Sequence, residues 1–103
     1  MSYDIILSDE AHTDIDETLD YIANNLHNPT AAKNLLDKIE ETYSELSLNP
    51  YMYAVCNDLR LRKEGYRKVV IKNYVMIYRV DDNNGFVYVV RIIYGGRNYV
   101  EII

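Results

Sequence analysis

The stretch YRKVVIKNYVMIYRVDDNNGFVYVVRII, residues 66–93, decides how this chain folds. Valine, isoleucine, tyrosine and phenylalanine dominate it, and side chains branched at Cβ or aromatic pack best on a pleated sheet. Two interruptions divide it: Lys72-Asn73, a two-residue link, and Asp81-Asp82-Asn83-Asn84-Gly85, a run of turn formers ending in glycine. The pattern predicts three consecutive strands, Tyr66–Ile71, Tyr74–Val80 and Phe86–Ile93, joined as hairpins. Pairing Val80 with Phe86 would set Arg79 and Arg91 on one face, and Tyr74, Tyr78, Phe86 and Tyr88 on the other.

Towards the N-terminus the period changes from two to between three and four. Ala11, Ile15, Leu19, Ile22 and Leu26 fall on one helical face, while Asp14, Asp16, Glu17 and Asp20 lie largely off it. Ser8 is placed to cap this helix, and Asp9 and Glu10 follow in the first turn, where the helix dipole favours anions. Asn28 can cap a second helix beginning at Pro29, since the first helical position needs no N–H donor. Its apolar stripe is Ala32, Leu35, Leu36, Ile39, Tyr43 and Leu46, and Asn49-Pro50 ends it. So short a link makes the two helices an antiparallel hairpin. Before them, Tyr3–Leu7 reads as a short strand. Residues 51–65 read as irregular, with Tyr51 and Tyr53 anchoring the segment to the core. The order is β-α-α-β-β-β, an α+β domain with a helical hairpin on one face of a small, mainly antiparallel sheet and the other face partly open.

Composition bounds the function. A chain of 103 residues with 49% apolar content makes one domain with a real core, residues 1–103. No apolar run approaches the roughly 20 residues needed to span a bilayer, and Met1-Ser2-Tyr3-Asp4 lacks the features of a signal peptide. Cys56 is the single cysteine, which excludes an internal disulfide and points to a reducing cytoplasm. With only His12 and His27 beside it, a structural zinc site is excluded and no metal or cofactor is expected. The net charge of −5 is divided unevenly. Residues 1–50 carry eleven acids and two bases, and residues 51–103 carry five acids and nine bases. An anionic partner would therefore meet the C-terminal half.

Several motifs, in order along the chain, resemble those of one known family. Ala11-His12-Thr13-Asp14-Ile15 is similar to the small residue opening the family's acidic first helix. Ala31-Ala32 and Leu46-Ser47-Leu48-Asn49-Pro50 match the opening pair and closing Leu-x-x-x-Pro of its second helix. Arg67 through Tyr74, Tyr78 and Val80 resembles its basic segment leading into a tyrosine-bearing strand. Ile92-Ile93-Tyr94-Gly95-Gly96-Arg97 looks like the ending Val-x-His-x-x-Arg. In this order, over about 90 residues, they resemble the RelE/ParE superfamily of toxins.

That resemblance implies a toxin of a bacterial type II toxin–antitoxin module. RelE-like members cut messenger RNA on the ribosome, and ParE-like members poison DNA gyrase. Metal-independent RNA cleavage by the substrate's own 2′-hydroxyl needs a base, cations for the phosphorane and an acid for the leaving oxygen. Carried over by position, the residues implied for an RNase are Arg97, Arg67, Lys68 and Tyr99. Those implied for target binding are Arg62, Lys63, Arg67, Tyr94 and Arg97. Val75 stands where RelE-like enzymes often carry an arginine, and Tyr94 stands where many relatives carry histidine. The expected activity is therefore growth arrest by binding a target such as gyrase. The alternatives are a ribosome-dependent mRNA endonuclease and a non-toxic member.

The expected partners are a cognate antitoxin, wrapping residues 51–103 as helix or strand, and gyrase or the ribosome as target. The resemblance leaves open whether the acidic helices form a homodimer or meet the antitoxin.

Each of these residues also has a plainer use. Six bases among Arg60, Arg62, Lys63, Arg67, Lys68 and Lys72 would equally suit a solvated loop and a charged sheet edge. Most of the eleven tyrosines suit sheet and core packing. Gly95-Gly96 reads as a turn with positive φ or close backbone approach, Asp81 and Asp82 as turn formers, and the histidines as surface residues.

Overall fold

The structure, a computed structural model, describes residues 2–103. Strand β1 (Asp4–Leu7) leads into helix α1 (Asp9–Asp20), a π-helical turn (Tyr21–Asn25) and helix α2 (Pro29–Leu48). Next come the short helix α3 (Leu59–Lys63), strands β2 (Arg67–Ile71), β3 (Tyr74–Asp81) and β4 (Phe86–Tyr94), and a last helix α4 (Tyr99–Ile102). The strands form one sheet in the order β1-β4-β3-β2. β3 and β4, and β2 and β3, pair antiparallel as the hairpin signals require, whereas β1 pairs parallel with β4.

The caps are those the sequence names. The Ser8 hydroxyl accepts from the Ala11 N–H at 3.0 Å, and Asn28 Oδ1 accepts from the Ala31 N–H at 3.1 Å. Ala11, Leu35, Ile39 and Leu46 meet Val69, Met76, Tyr78 and Val89 in a core between the helices and one face of the sheet, the helix face. Leu26 departs from the stripe assigned to it and is exposed. Its N–H bonds five residues back, to the Tyr21 carbonyl at 3.0 Å, and this wider turn rotates Leu26 off the apolar face.

The expected register of the last hairpin is corrected by one residue, because Asp81, not Val80, pairs with Phe86. A bulge then lies opposite the Ile77/Tyr78 step. Before it, Val87 and Val89 enter the core; beyond it, Ile92 does so too, although strict alternation would send Ile92 the other way. The bulge keeps Arg91 out of the core. The predicted grouping of faces fails for the same reason. Arg79 pairs with Tyr88 on the outer face, while Tyr74 and Tyr78 turn towards the helices.

The outer face is also less open than expected. Residues 51–65 contain α3, capped by Asp58, whose Oδ1 accepts from the Leu61 N–H at 3.1 Å. Cys56, Leu61, Val75 and Ile77 form a second apolar cluster, closed over by Tyr66, Val90, Tyr99, Val100 and Ile103. Arg60 holds the two short helices together through a 2.6 Å hydrogen bond to the Val100 carbonyl. Tyr51 and Tyr53 do anchor their loop, as shown below.

Candidate functional site

The basic and aromatic residues singled out from the sequence occupy four separate places. Arg97 and Tyr94 share the first. β4 ends at Tyr94, and the next residue comes so close to the β2–β3 link that a Cβ on Gly95 would lie 3.2 Å from the Asn73 carbonyl oxygen. Gly95 donates its N–H to that oxygen at 2.8 Å, and the Arg97 N–H returns to the Tyr94 carbonyl at 3.0 Å. Close approach is thus the reason for Gly95, since neither Gly95 nor Gly96 has a positive φ. This turn projects Arg97 into a hollow of about 660 Å3 with Tyr21, Leu26, Asn73, Tyr74 and Tyr94 on its walls. The Tyr74 and Tyr94 rings meet edge to face with centroids 6.0 Å apart, which leaves Tyr94 upright and half exposed.

Lys68 and Tyr99 form the second place, on the outer face. The Lys68 ammonium donates to the Tyr99 hydroxyl at 3.2 Å and lies 5.3 Å from the ring centroid. Beneath them is Cys56, whose thiol is pushed up by burial, with Lys68 pulling weakly the other way. Burial therefore disfavours the thiolate.

Arg67, although next to Lys68 in sequence, points to the other face because strand side chains alternate. Its guanidinium sits 4.9 Å from the Tyr51 ring centroid and donates to the Tyr53 carbonyl at 2.6 Å. Tyr51 and Tyr3 both donate to Asp82, the latter at 2.6 Å, so this carboxylate ties β1, the loop after α2 and the last hairpin together. The Tyr3 bond, then the Tyr51 bond, holds the Asp82 carboxyl below the usual carboxylate range. The same bond pushes Tyr51 up to about 12, against a small opposing pull from Arg67. Tyr78, beneath, is pushed up to about 12 by burial and donates to the Pro50 carbonyl at 2.8 Å.

The fourth place is α3, where Arg62 and Lys63 are exposed. The structure thus joins Arg97 to Tyr94 and Lys68 to Tyr99. Arg67 is committed to Tyr51 and Tyr53.

Two further contacts carry no sequence motif. Asp14, on α1, takes both nitrogens of the Arg91 guanidinium, at 2.7 and 2.8 Å, and also accepts the Ile92 N–H at 3.1 Å. Because β1 stops at Leu7, the Asp14 carboxylate takes over the free edge of β4 beyond it. The hydrogen bonds that the guanidinium donates to Asp14 raise the Arg91 pKa, against burial, which pulls it down. An acid at the helix position facing the strand edge was present in the sequence, but only the register reveals its target. Asp82 likewise reads as a turn former, while the structure makes it an acceptor for two tyrosines.

This order of elements recurs in known proteins. The family model described as the ParE toxin of the type II toxin–antitoxin system parDE matches residues 5–99, and the chain belongs to that family, within the RelE/ParE superfamily. Among solved structures, the chromosomal ParDE toxin–antitoxin system of P. aeruginosa is similar at 18% identity. Its TM-score is 0.69, over 90% of this chain and 96% of that one. The RelBE2 toxin–antitoxin complex of Mycobacterium tuberculosis is similar at 17% identity, with a TM-score of 0.65 over 91% and 99% of the two chains. At such identities the likeness is one of fold. No curated protein sequence matches the chain significantly.

Proposed function

We propose that this chain is the growth-arresting toxin of a type II module, that it acts by binding an essential machine such as DNA gyrase, and that a cognate antitoxin holds it inactive. Family membership supports the toxin role. The observation that favours binding over RNA cleavage is the dispersal of the cations. Phosphoryl chemistry needs them converging on one phosphate. Here Arg67 is spent on Tyr51 and Tyr53, and Lys68 and Tyr99 are paired on the outer face. Arg97 lines a hollow with Tyr94, away from both pairs. Val75, where RelE-like enzymes often carry arginine, is buried in the outer apolar cluster and supplies no charge.

In this reading Arg97 and Tyr94 contact the target directly, and Arg62 and Lys63 supply long-range attraction from α3. Arg67 acts indirectly by fixing the 51–54 loop. The proposed targets lie in the cytoplasm, and no helix among the described residues is long and apolar enough to cross a membrane.

Tightly controlled expression tests the proposal, with translation, mRNA integrity and DNA supercoiling followed after induction. Growth arrest with intact mRNA and altered supercoiling is the expected result, reduced at least about tenfold by Arg97→Ala, as for loss of one buried charged contact. Mapped mRNA cuts with loss of translation would instead establish the endonuclease, whose first suspects are Lys68 and Tyr99. Unimpaired growth would sink both toxin readings.

A further inference from the structure

The hollow beside Arg97 gathers groups that the rest of the molecule leaves unused. Arg60, Arg67, Lys68, Arg79 and Arg91 are each spent on an internal partner, whether a carbonyl, a carboxylate or a tyrosine. Arg97 lines this hollow with no such partner among the described residues, and so does the exposed Glu17 of α1. Two opposite charges thus share one cavity without meeting. Asp14, the other charged residue on its wall, is neutralised by Arg91. At about 660 Å3 the space lies within the roughly 300–1,000 Å3 typical of small-molecule sites.

The remaining walls are largely aromatic. The π-helical turn that swings Leu26 off the core leaves it and Tyr21 about half exposed at the rim, and such turns recur at functional sites. Burial, then the neighbouring Tyr94 and Tyr21 hydroxyls, push the Tyr74 phenol up, so it stays a donor. Tyr94 meets Tyr74 edge to face, and a Cβ on Gly96 would lie 2.9 Å from its Cε2. Gly96 therefore lets this ring settle against the turn while half of it stays exposed. The nearby main chain is already committed: the Asn73 carbonyl to Gly95, the Tyr94 carbonyl to Arg97 and the Ile92 N–H to Asp14. A peptide main chain would find few partners here, whereas ring faces and side-chain charges are available.

We propose that this hollow binds a guanosine nucleotide, its phosphate on the Arg97 guanidinium, its base against the tyrosine rings and the edge of that base on the Glu17 carboxylate. A guanidinium fork matches phosphate oxygens, and exposed aromatic rings stack bases. A carboxylate only accepts hydrogen bonds. Guanine alone among the common bases sets an N1–H beside an N2 amino group, two adjacent donors for two carboxylate oxygens. Lys68 and Tyr99, the first suspects for RNA cleavage, lie apart on the outer face, so this site binds without cutting. The inference names what Arg97 and Tyr94 grip. It rests on the target reading above only for the source of the nucleotide, a strand held by the target or a free nucleotide in solution.

The test titrates guanosine 5′-monophosphate to millimolar concentration into the 15N-labelled whole chain. Saturable shifts are expected at the Asn73, Gly96 and Arg97 amides. Inosine monophosphate, which lacks the amino group, and uridine monophosphate should bind about tenfold more weakly. Arg97→Ala and Tyr94→Leu should each weaken guanosine binding about tenfold, and Glu17→Gln should erase its preference over inosine. These side chains are exposed, and the inosine comparison on the parent chain decides the matter without any variant. No saturable shift, equal affinity for the three nucleotides, or variants within about threefold of the parent would overturn the proposal. So would shifts confined to the outer face around Lys68. Tighter binding of acetyl-Glu-Phe-amide at the same amides would also overturn it, since a protein segment would then be the occupant. A three-nucleotide strand with guanosine at its centre separates the sources. Under the proposal it binds at least about tenfold tighter than the monophosphate if the ligand is a strand, and no tighter if it is free. Growth is not read in this experiment, so a failed toxin reading and an empty hollow give different results.

Discussion

The two faces of the sheet are both apolar, yet they are covered in different ways. On the helix face, α1 and α2, of 12 and 20 residues, lie over Val69, Met76, Tyr78 and Val89. On the outer face, two helices of five and four residues lie over Val75 and Ile77. Long helices lock many positions at once, so the first face supplies cooperative stability. The second is assembled from short pieces held by side-chain contacts such as Arg60 to Val100 and Lys68 to Tyr99. Short segments with few buried contacts open at lower free energy than the core does. Stability and availability are thus divided between the faces, and the basic residues of the C-terminal half lie mainly with the second.

A matched pair of truncations gives the most direct way to break this comparison. Leu46 of α2 and Leu61 of α3 are both fully buried. Leu46→Ala should cost about 4 kcal/mol by chemical denaturation, because a long helix cannot sink into the void. Leu61→Ala should cost about 2 kcal/mol, since a five-residue helix can settle. Equal losses would show that the two faces are equally rigid. Asp14→Ala comes next, at about 2 kcal/mol, because it strands the Arg91 guanidinium, whose side chain is 21% exposed, and frees the Ile92 N–H. Tyr78→Phe should cost about 1 kcal/mol by leaving the Pro50 carbonyl without its donor.

The smallest effect is one of pH and belongs to Asp82. Its folded pKa is depressed by the Tyr3 and Tyr51 hydroxyls, so its contribution is present above the ordinary carboxylate value and fades as pH falls through the lower, folded one. Tyr51, raised to about 12, adds stability that is complete below its unfolded value and lost as pH rises through about 12. Thermal midpoints followed across both windows should show the two slopes in the parent. Tyr3→Phe with Tyr51→Phe should flatten both, and unchanged slopes would remove Asp82 from the account.

Much of the helix face was legible in the chain. Ser8, Asn28 and Pro29 mark helix starts through local chemistry, and the stripe from Ala32 to Leu46 repeats often enough to fix a face. The link Lys72-Asn73 and the run to Gly85 announce hairpins by composition. What escaped depends on partners distant in sequence. The bulge at Val90 leaves no mark in composition, and it reverses which side Ile92 takes. Helix α3 is too short for a period to emerge, although Asp58 before Leu59-Arg60-Leu61 was a cap in waiting. Parallel pairing of β1 with β4 cannot be read from four residues.

The candidate site divided along the same line. Residue types were visible, while the grouping of Arg97 with Tyr94, and the withdrawal of Arg67 to Tyr51, required knowing which way each strand residue points.

The parallel seam between β1 and β4 also has a consequence for synthesis. Ser8 bonds to Val90, 82 residues later, so the first strand made has to wait for nearly the whole domain before it finds its neighbour. A chain emerging from the ribosome can form α1 and α2 early, but its sheet, with the Asp14–Arg91 clasp, closes only once β4 is out. Order of translation thereby imposes a delay on completion of the folded sheet.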